Sequence, residues 1–231
     1  NQTLNELCGR IFMKIDRVLQ DSNPDIVLVH GDTTTSSVCA WAAFHHGIKV
    51  GHVEAGLRTF DKYSPFPEEL NRQVTSRICE YHFAPTSQSK QNLLMENIIK
   101  DRILVTGNTV IDSLLWAAEK LDSGYTNAKI TELKSVLNFS KKIILVTGHR
   151  RENFGEGFLS ICKALAYLAQ NNDIEIVFPV HLNPQVQRPV MELLSGIPNI
   201  HLIAPLDYPS FIWMMQNSYF IFTDSGGVQK E

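Results

Sequence analysis

The 231-residue sequence has no apolar run of the ~18 residues that a membrane-spanning helix requires. It has no basic block either: the formal net charge is -3 and the pI about 6.3, which sets nucleic acid aside as an expected partner. The opening segment Asn1-Gln2-Thr3-Leu4-Asn5-Glu6 lacks the basic-then-apolar pattern of a secretory leader. Cysteine is scarce and scattered. Cys8, Cys39, Cys79 and Cys162 include no C-x-x-C and are expected as buried free thiols in a reducing cytoplasm. No repeat of fixed period and no low-complexity stretch interrupts the chain.

What is present is an alternation of helical and strand-like segments. Leu4, Leu7, Ile11, Ile15 and Val18 fall on one face of a helix over 4–19, which the chain is expected to enter midway. Asn23-Pro24-Asp25 ends it, and Ile26-Val27-Leu28-Val29-His30 reads as a short buried strand. The pattern then predicts helices at 34–46, 67–79, 86–97, 109–120, 157–170, 184–194 and 208–217. The intervening strands are expected at 49–53, 81–84, 103–106, 143–147, 174–179, 200–203 and 219–223. Pro67 is expected in the first turn of its helix, and 121–140 reads as irregular. Strands that alternate with helices require parallel sheets covered on both faces. The boundary between two such α/β domains is placed near Gly107, giving 1–106 and 107–231.

In open parallel sheets, ligands bind beyond the carboxyl ends of the strands. The first strand ends in His30-Gly31-Asp32-Thr33-Thr34-Thr35, where Asp32 either points into the crevice or caps the following helix. The second ends in His52-Val53-Glu54-Ala55-Gly56-Leu57-Arg58, where Glu54 serves chemistry or pairs with Arg58. Next comes Ser64-Pro65-Phe66-Pro67-Glu68-Glu69-Leu70-Asn71-Arg72, with Glu68 and Glu69 in a first helical turn that also favours acidic residues. Convergent carboxylates push each other's proton affinities apart, so that one serves as acid and another as base. In the second half, Gly148-His149-Arg150-Arg151-Glu152-Asn153 suits an anionic ligand. Asp224-Ser225-Gly226-Gly227 exposes backbone N–H groups of the kind that cradle phosphate. His181, in Val180-His181-Leu182-Asn183-Pro184, reads from its setting as structural. An acidic crevice together with a phosphate-binding rim suits a nucleotide-sugar enzyme.

These stretches, together with Thr106-Gly107-Asn108-Thr109-Val110-Ile111-Asp112, resemble in order and spacing the motif series of the non-hydrolysing UDP-N-acetylglucosamine 2-epimerases of bacteria and archaea. The resemblance implies two Rossmann-like domains in a GT-B-like arrangement with the active site in the interdomain cleft. It also implies interconversion of UDP-GlcNAc and UDP-ManNAc through a 2-acetamidoglucal, without metal or nicotinamide cofactor. Asp32, Glu54, Glu68 and His149 match the family's catalytic residues. Arg58, Phe211, Ser225, Gly226, Gly227 and Glu231 are the expected substrate contacts. Arg150, Glu152 and His181 match positions linked to a second UDP-GlcNAc acting as activator. A cytoplasmic homodimer in cell-envelope polysaccharide synthesis is the corresponding expectation. The family's usual first strand with a G-T-R-P-E-type loop has no match here, and the family continues past Glu231, so both domains are expected to be incomplete. Lys230 stands where an acidic residue is more common.

Three other readings stay open at this level. A relative acting on a more decorated UDP-sugar, such as a diacetamido uronate, would share these motifs. A metal hydrolase could use His30, Asp32, His52 and Glu54 as ligands. The chain could also be a UDP-sugar-binding fragment without turnover.

Overall fold

In a computed structural model of the chain, residues 2–148, 155–225 and 228 are described. The architecture is α/β, with two four-stranded parallel sheets carried by two units, residues 1–109 and 110–231. Among the described residues no helix is long and apolar enough to cross a membrane.

The first unit opens with α1 (Leu4–Ser22). Thr3 accepts from the Glu6 amide at 3.1 Å while Glu6 accepts from the Thr3 amide at 2.7 Å. This reciprocal cap satisfies two helix-end donors, so the helix starts at Leu4 instead of being entered midway. Strands β1 (Ile26–His30), β2 (Lys49–Val53), β3 (Tyr81–Ala84) and β4 (Ile103–Val105) lie side by side in chain order, all parallel. Helices α2 (Thr34–His45), α3 (Glu68–Ile78) and α4 (Ser87–Met95) make the crossovers that parallel pairing demands. Leu19, Val29, Ala40, Ala43, Val50 and Cys79 form the core between α1–α3 and the sheet. On β1, Val29 is buried while Ile26 and Leu28 are exposed.

In the second unit, α5 (Thr109–Asp122) and α6 (Ala128–Val136) precede β5 (Lys142–Thr147). They are followed by α7 (Glu156–Leu168), β6 (Ile174–Pro179), α8 (Pro184–Leu194), β7 (Ile200–Ile203), α9 (Tyr208–Gln216) and β8 (Phe220–Thr223). The strand order is β7-β6-β5-β8. Both faces are covered, and period two sorts the strand residues between them. Val146, Ile174, Ile176 and Phe178 pack with Phe158, Cys162 and Leu165 of α7. Ile143, Leu145 and Val177 pack on the other face with Leu121, Ile130, Leu133 and Ile212.

Two expectations are corrected here. Residues 121–140 are not irregular: Asn127 caps α6 by accepting from the Ile130 amide at 2.8 Å, and the helix buries Ile130 and Leu133 against the sheet. Pro67 is not in the first helical turn; it is the N-cap residue of α3 and gives it no side-chain cap. Other helix ends move by one to three residues, as frayed termini do.

Beneath the carboxyl ends of the first sheet lie two fully buried histidines, His52 on β2 and His82 on β3, paired in register. Burial pushes the pKa of each down to about 4, so both are neutral at pH 7. An unfolded histidine takes up a proton near pH 6.5, whereas these two resist it until about pH 4. In that window the unfolded chain binds more protons, so acid favours unfolding. Stability is expected to fall below pH 6.5 by roughly 1.4 kcal/mol per buried histidine per pH unit. Thermal unfolding between pH 7.5 and 5 measures this. His82→Leu should flatten the dependence by about half, and a flat wild-type profile would contradict the assignment.

Candidate active site

The carboxyl end of β1 turns at Gly31, which adopts φ +70, a left-handed conformation that glycine reaches at no steric cost. The turn is held from below. The Gly31 amide donates to the Val53 carbonyl at 3.0 Å, and the Gly31 carbonyl meets Nε2 of buried His52 at 2.8 Å. A neutral His52 therefore carries its proton on Nε2 and donates it to that carbonyl. The ambiguity over Asp32 resolves locally. Thr33 is the N-cap of α2, accepting from the Ser36 amide at 3.2 Å, which leaves the Asp32 carboxylate for other partners. Its Oδ2 accepts from Nη2 and Nε of Arg72 at 2.7 and 3.0 Å, and Asn71 donates to the Asp32 carbonyl at 2.9 Å.

Glu54 follows β2 in the left-handed region at φ +66, a conformation that costs a non-glycine residue roughly 1–2 kcal/mol. The next two residues enforce it. Ala55, fully buried, donates to the Phe83 carbonyl at 3.0 Å, and the Gly56 carbonyl accepts from buried Asn92 at 2.9 Å. Glu54 Oε2 lies 3.5 Å from where a Gly31 Cβ would be, so the ends of β1 and β2 bring the Asp32 turn and Glu54 together. Asn108 donates to Glu54 Oε1 at 3.4 Å, and His30 Nε2 stands 3.7 Å from Oε2.

Glu68 and Glu69 separate sharply. Glu69 is fully buried and accepts from the amides of Thr59 and Phe60 and from Arg72 and Gln73. Burial alone would raise its pKa, but the hydrogen bonds from Thr59, Gln73, Arg72 and Phe60 outweigh it and hold the carboxyl below its ordinary value. Glu68 is the first residue of α3, and no described residue bonds to its side chain. It stands three and four positions before Asn71 and Arg72, so it shares the helix face that grips Asp32.

Arg58, expected among the substrate contacts, is placed elsewhere. Its side chain is fully buried, with Nε and Nη2 donating to both oxygens of Glu96 at 2.6 and 2.9 Å, Nη2 also to Ser76, and Nη1 to the Leu57 carbonyl. That bidentate pair fastens the turn after β2 to the end of α4. Its partner lies 38 residues away in sequence, and the pairing with Glu54 considered from sequence does not form. Among the described residues no cluster of three histidine, cysteine, aspartate or glutamate side chains could hold a metal ion. His52, which the hydrolase reading needs as a ligand, has its Nε2 engaged with the Gly31 carbonyl.

In the second unit the strand order reverses between β5 and β8, which places a ligand crevice at their carboxyl ends. The two ends are tied. Thr147 and Thr223 hydroxyls hydrogen-bond at 2.6 Å, the Asp224 amide donates to the Thr147 carbonyl at 3.3 Å, and the Ser225 amide donates to the Thr223 hydroxyl at 2.9 Å. Ser225 Oγ in turn accepts from the Val228 amide at 3.5 Å. A Cβ on Gly148 would lie 3.5 Å from the Phe158 ring and 3.8 Å from Asp224, in ordinary van der Waals contact with both. Phe211 sits half-buried on α9 against the core. His181 is exposed after β6 and accepts from the Asn183 amide at 3.1 Å. His149, Arg150, Glu152, Gly226, Gly227 and Glu231 lie outside the described residues.

Carboxylates at the strand ends of one parallel sheet, and a switch-point crevice on a second, define an α/β protein of the doubly wound class. The family model described as UDP-N-acetylglucosamine 2-epimerase matches residues 1–231. The chain belongs to that family. It is 54% identical to the UDP-N-acetylglucosamine 2-epimerase of Salmonella typhimurium and 55% identical to that of Campylobacter jejuni. In each comparison all of this chain and 62% of the relative are covered. The crystal structure of UDP-GlcNAc 2-epimerase from Neisseria meningitidis bound to UDP-GlcNAc superposes with a TM-score of 0.95 at 47% identity, covering 100% of this chain and 62% of that one. The Methanocaldococcus jannaschii UDP-GlcNAc 2-epimerase in complex with UDP-GlcNAc and UDP gives 0.80 at 34% identity, covering 100% and 63%. The chain thus spans less than two thirds of the length of these relatives.

The turn that strains Glu54 is testable. Gly56 has φ +88, and a Cβ there would press into the Ser89 backbone carbonyl. Gly56→Ala is expected to destabilise the fold by roughly 2–5 kcal/mol, the sum of left-handed strain and overpacking. Urea unfolding measures the loss, and a change under about 1 kcal/mol would mean the turn is not locked against α4.

Proposed function

We propose that this chain is the part of a non-hydrolysing 2-epimerase that carries its acid–base carboxylates, and that the complete enzyme interconverts UDP-GlcNAc and UDP-ManNAc. The observation that carries the reading is the meeting of Asp32 and Glu54 at adjacent strand ends in unlike settings. One is held against the Arg72 guanidinium, and the other faces an amide and an imidazole. Two carboxyl groups in different environments are what a reaction needs when it removes a proton from one face of a carbon and returns it to the other. Glu68, on the α3 face that reaches Asp32, is the third member.

The reaction proceeds in balanced steps. One group of the Asp32–Glu54–Glu68 set takes the C2 proton, the C2–H electron pair becomes the C1=C2 double bond, and the C1–O pair departs with UDP. The product is the 2-acetamidoglucal. In the second half a diphosphate oxygen of UDP re-forms the bond to C1, and C2 receives a proton on the opposite face. Ser225 at the β5–β8 switch point, with Gly226 and Gly227 that follow it in sequence and His149, is proposed to bind the diphosphate, and Phe211 and Glu231 to bind the nucleoside. Charge leaves with the diphosphate as the C1–O bond breaks, and backbone amides at such a crevice are suited to receive it. Arg58 serves as a structural fastening in this scheme, since its donors are engaged. The activator site (Arg150, Glu152, His181), homodimerisation and a cytoplasmic location belong to the same proposal.

In an enzyme of the relatives' full length carrying these residues, Asp32→Asn and Glu54→Gln should each lower epimerisation by at least ~10²-fold while leaving the folded CD spectrum intact. Near-wild-type turnover in both would remove these carboxylates from the chemistry.

A further inference from the structure

The Asn71-Arg72 pair is left unused by the carboxylate chemistry, yet it makes the closest contacts to Asp32. We propose that Arg72 is a positioning residue that selects which oxygen of Asp32 meets the substrate. This rests on the reading of Asp32 given above.

Two of the Arg72 donors, Nε at 3.0 Å and Nη2 at 2.7 Å, fall on the same oxygen, Asp32 Oδ2. Oδ1 accepts no hydrogen bond from a described residue. A guanidinium that holds one oxygen through two planar N–H groups fixes the rotation of the carboxylate as well as its place. Oδ1 is therefore the oxygen left to take or give a proton. Asn71 completes the grip by donating to the Asp32 backbone carbonyl at 2.9 Å, which pins the turn itself.

The other end of Arg72 is anchored. Nη1 donates to Glu69 Oε2 at 3.1 Å, and Glu69 is fully buried with its remaining acceptor sites taken by the Thr59 and Phe60 amides and by Gln73. A carboxylate held by four groups has little freedom, so Arg72 transmits a fixed position from the loop after β2 to the turn after β1. Because Glu69 and Arg72 are carried on the same helix as Glu68, one rigid element sets both Asp32 and Glu68. A lysine ammonium keeps the charge but lacks the rigid planar fork, so it would hold Asp32 and Glu69 in less fixed directions.

A purely structural ion pair would alter stability and leave the loss in turnover independent of Asp32. The positioning role makes the two losses depend on each other, and a double-mutant cycle separates them. Wild type, Asp32→Asn, Arg72→Ala, Arg72→Lys and the Asp32→Asn/Arg72→Ala double variant are compared in the enzyme at the relatives' full length. The readouts are kcat and KM for UDP-GlcNAc, with CD and thermal unfolding on each variant. Arg72→Ala is expected to lower kcat by about 10²-fold, the usual consequence of a misplaced catalytic group, with KM changed far less. Arg72→Lys should recover part of the loss. The double variant should turn over within about twofold of Asp32→Asn alone. Should Arg72→Ala fail to fold, Arg72→Lys takes its place in the cycle. Arg72 variants with wild-type kcat, or losses that multiply in the double variant, would overturn the positioning role while leaving the epimerase reading intact. A wild-type enzyme that forms no epimer would overturn both.

Discussion

A carboxylate with no access to water, Glu69, holds the candidate site together. The segment from Leu57 to Pro67 forms no helix or strand, so its backbone donors need partners from elsewhere. Glu69 supplies two of them, to Thr59 and Phe60, and takes up Arg72 and Gln73 on its remaining acceptor sites. An isolated buried charge would be costly, but here it meets a cation and three neutral donors, which is the condition under which such a charge is tolerated. Remove that hub and the loop loses its anchor, α3 loses its register on the loop, and the Arg72 bridge to Asp32 loses its support.

The second constraint is topological. Parallel pairing sends every strand's carboxyl end to the same edge, so residues far apart in sequence collect there. Asp32 and Glu54 are neighbours because β1 and β2 are, with Val29 beside His52 and His30 beside Val53. In the second unit Thr147 and Thr223 are 76 positions apart but share a hydrogen bond, because β8 returns to the free side of β5. Stability and chemistry meet in the same place. Buried His52 braces the Gly31 turn that presents Asp32, and Gly56 and Ala55 force the left-handed backbone that presents Glu54.

Much of the architecture is legible in the sequence. The β-branched runs Ile26–His30 and Ile174–Pro179 are strands at the predicted positions; β6 is buried along nearly its whole length, whereas β1 buries only Val29 and leaves Ile26 and Leu28 exposed, against the expectation of a buried strand. The nine-residue α6 escaped because it is short and flanked by polar residues, and its stability comes from Asn127 capping and from packing that only the fold supplies. The carboxylate motifs were readable as strand-end residues. Their division of labour was not. Glu68 and Glu69 are adjacent and chemically identical, and only the helix phase decides that Glu69 is buried against the loop. Arg58 follows the Glu54 turn and looked available to a ligand, but Glu96 and Ser76, distant in sequence, occupy it. Long-range pairings of this kind leave no local signature.

The decisive quantity is the fate of the C2 hydrogen. Proton NMR of UDP-GlcNAc in D₂O, with an enzyme of the relatives' full length carrying these residues, follows it directly. Appearance of UDP-ManNAc with deuterium at C2 of the epimer is the predicted result, since a carboxyl group that takes a proton from C2 exchanges it with solvent before returning one. An epimer that keeps its C2 protium, or a folded enzyme that forms no epimer, would contradict proton abstraction by the strand-end carboxylates.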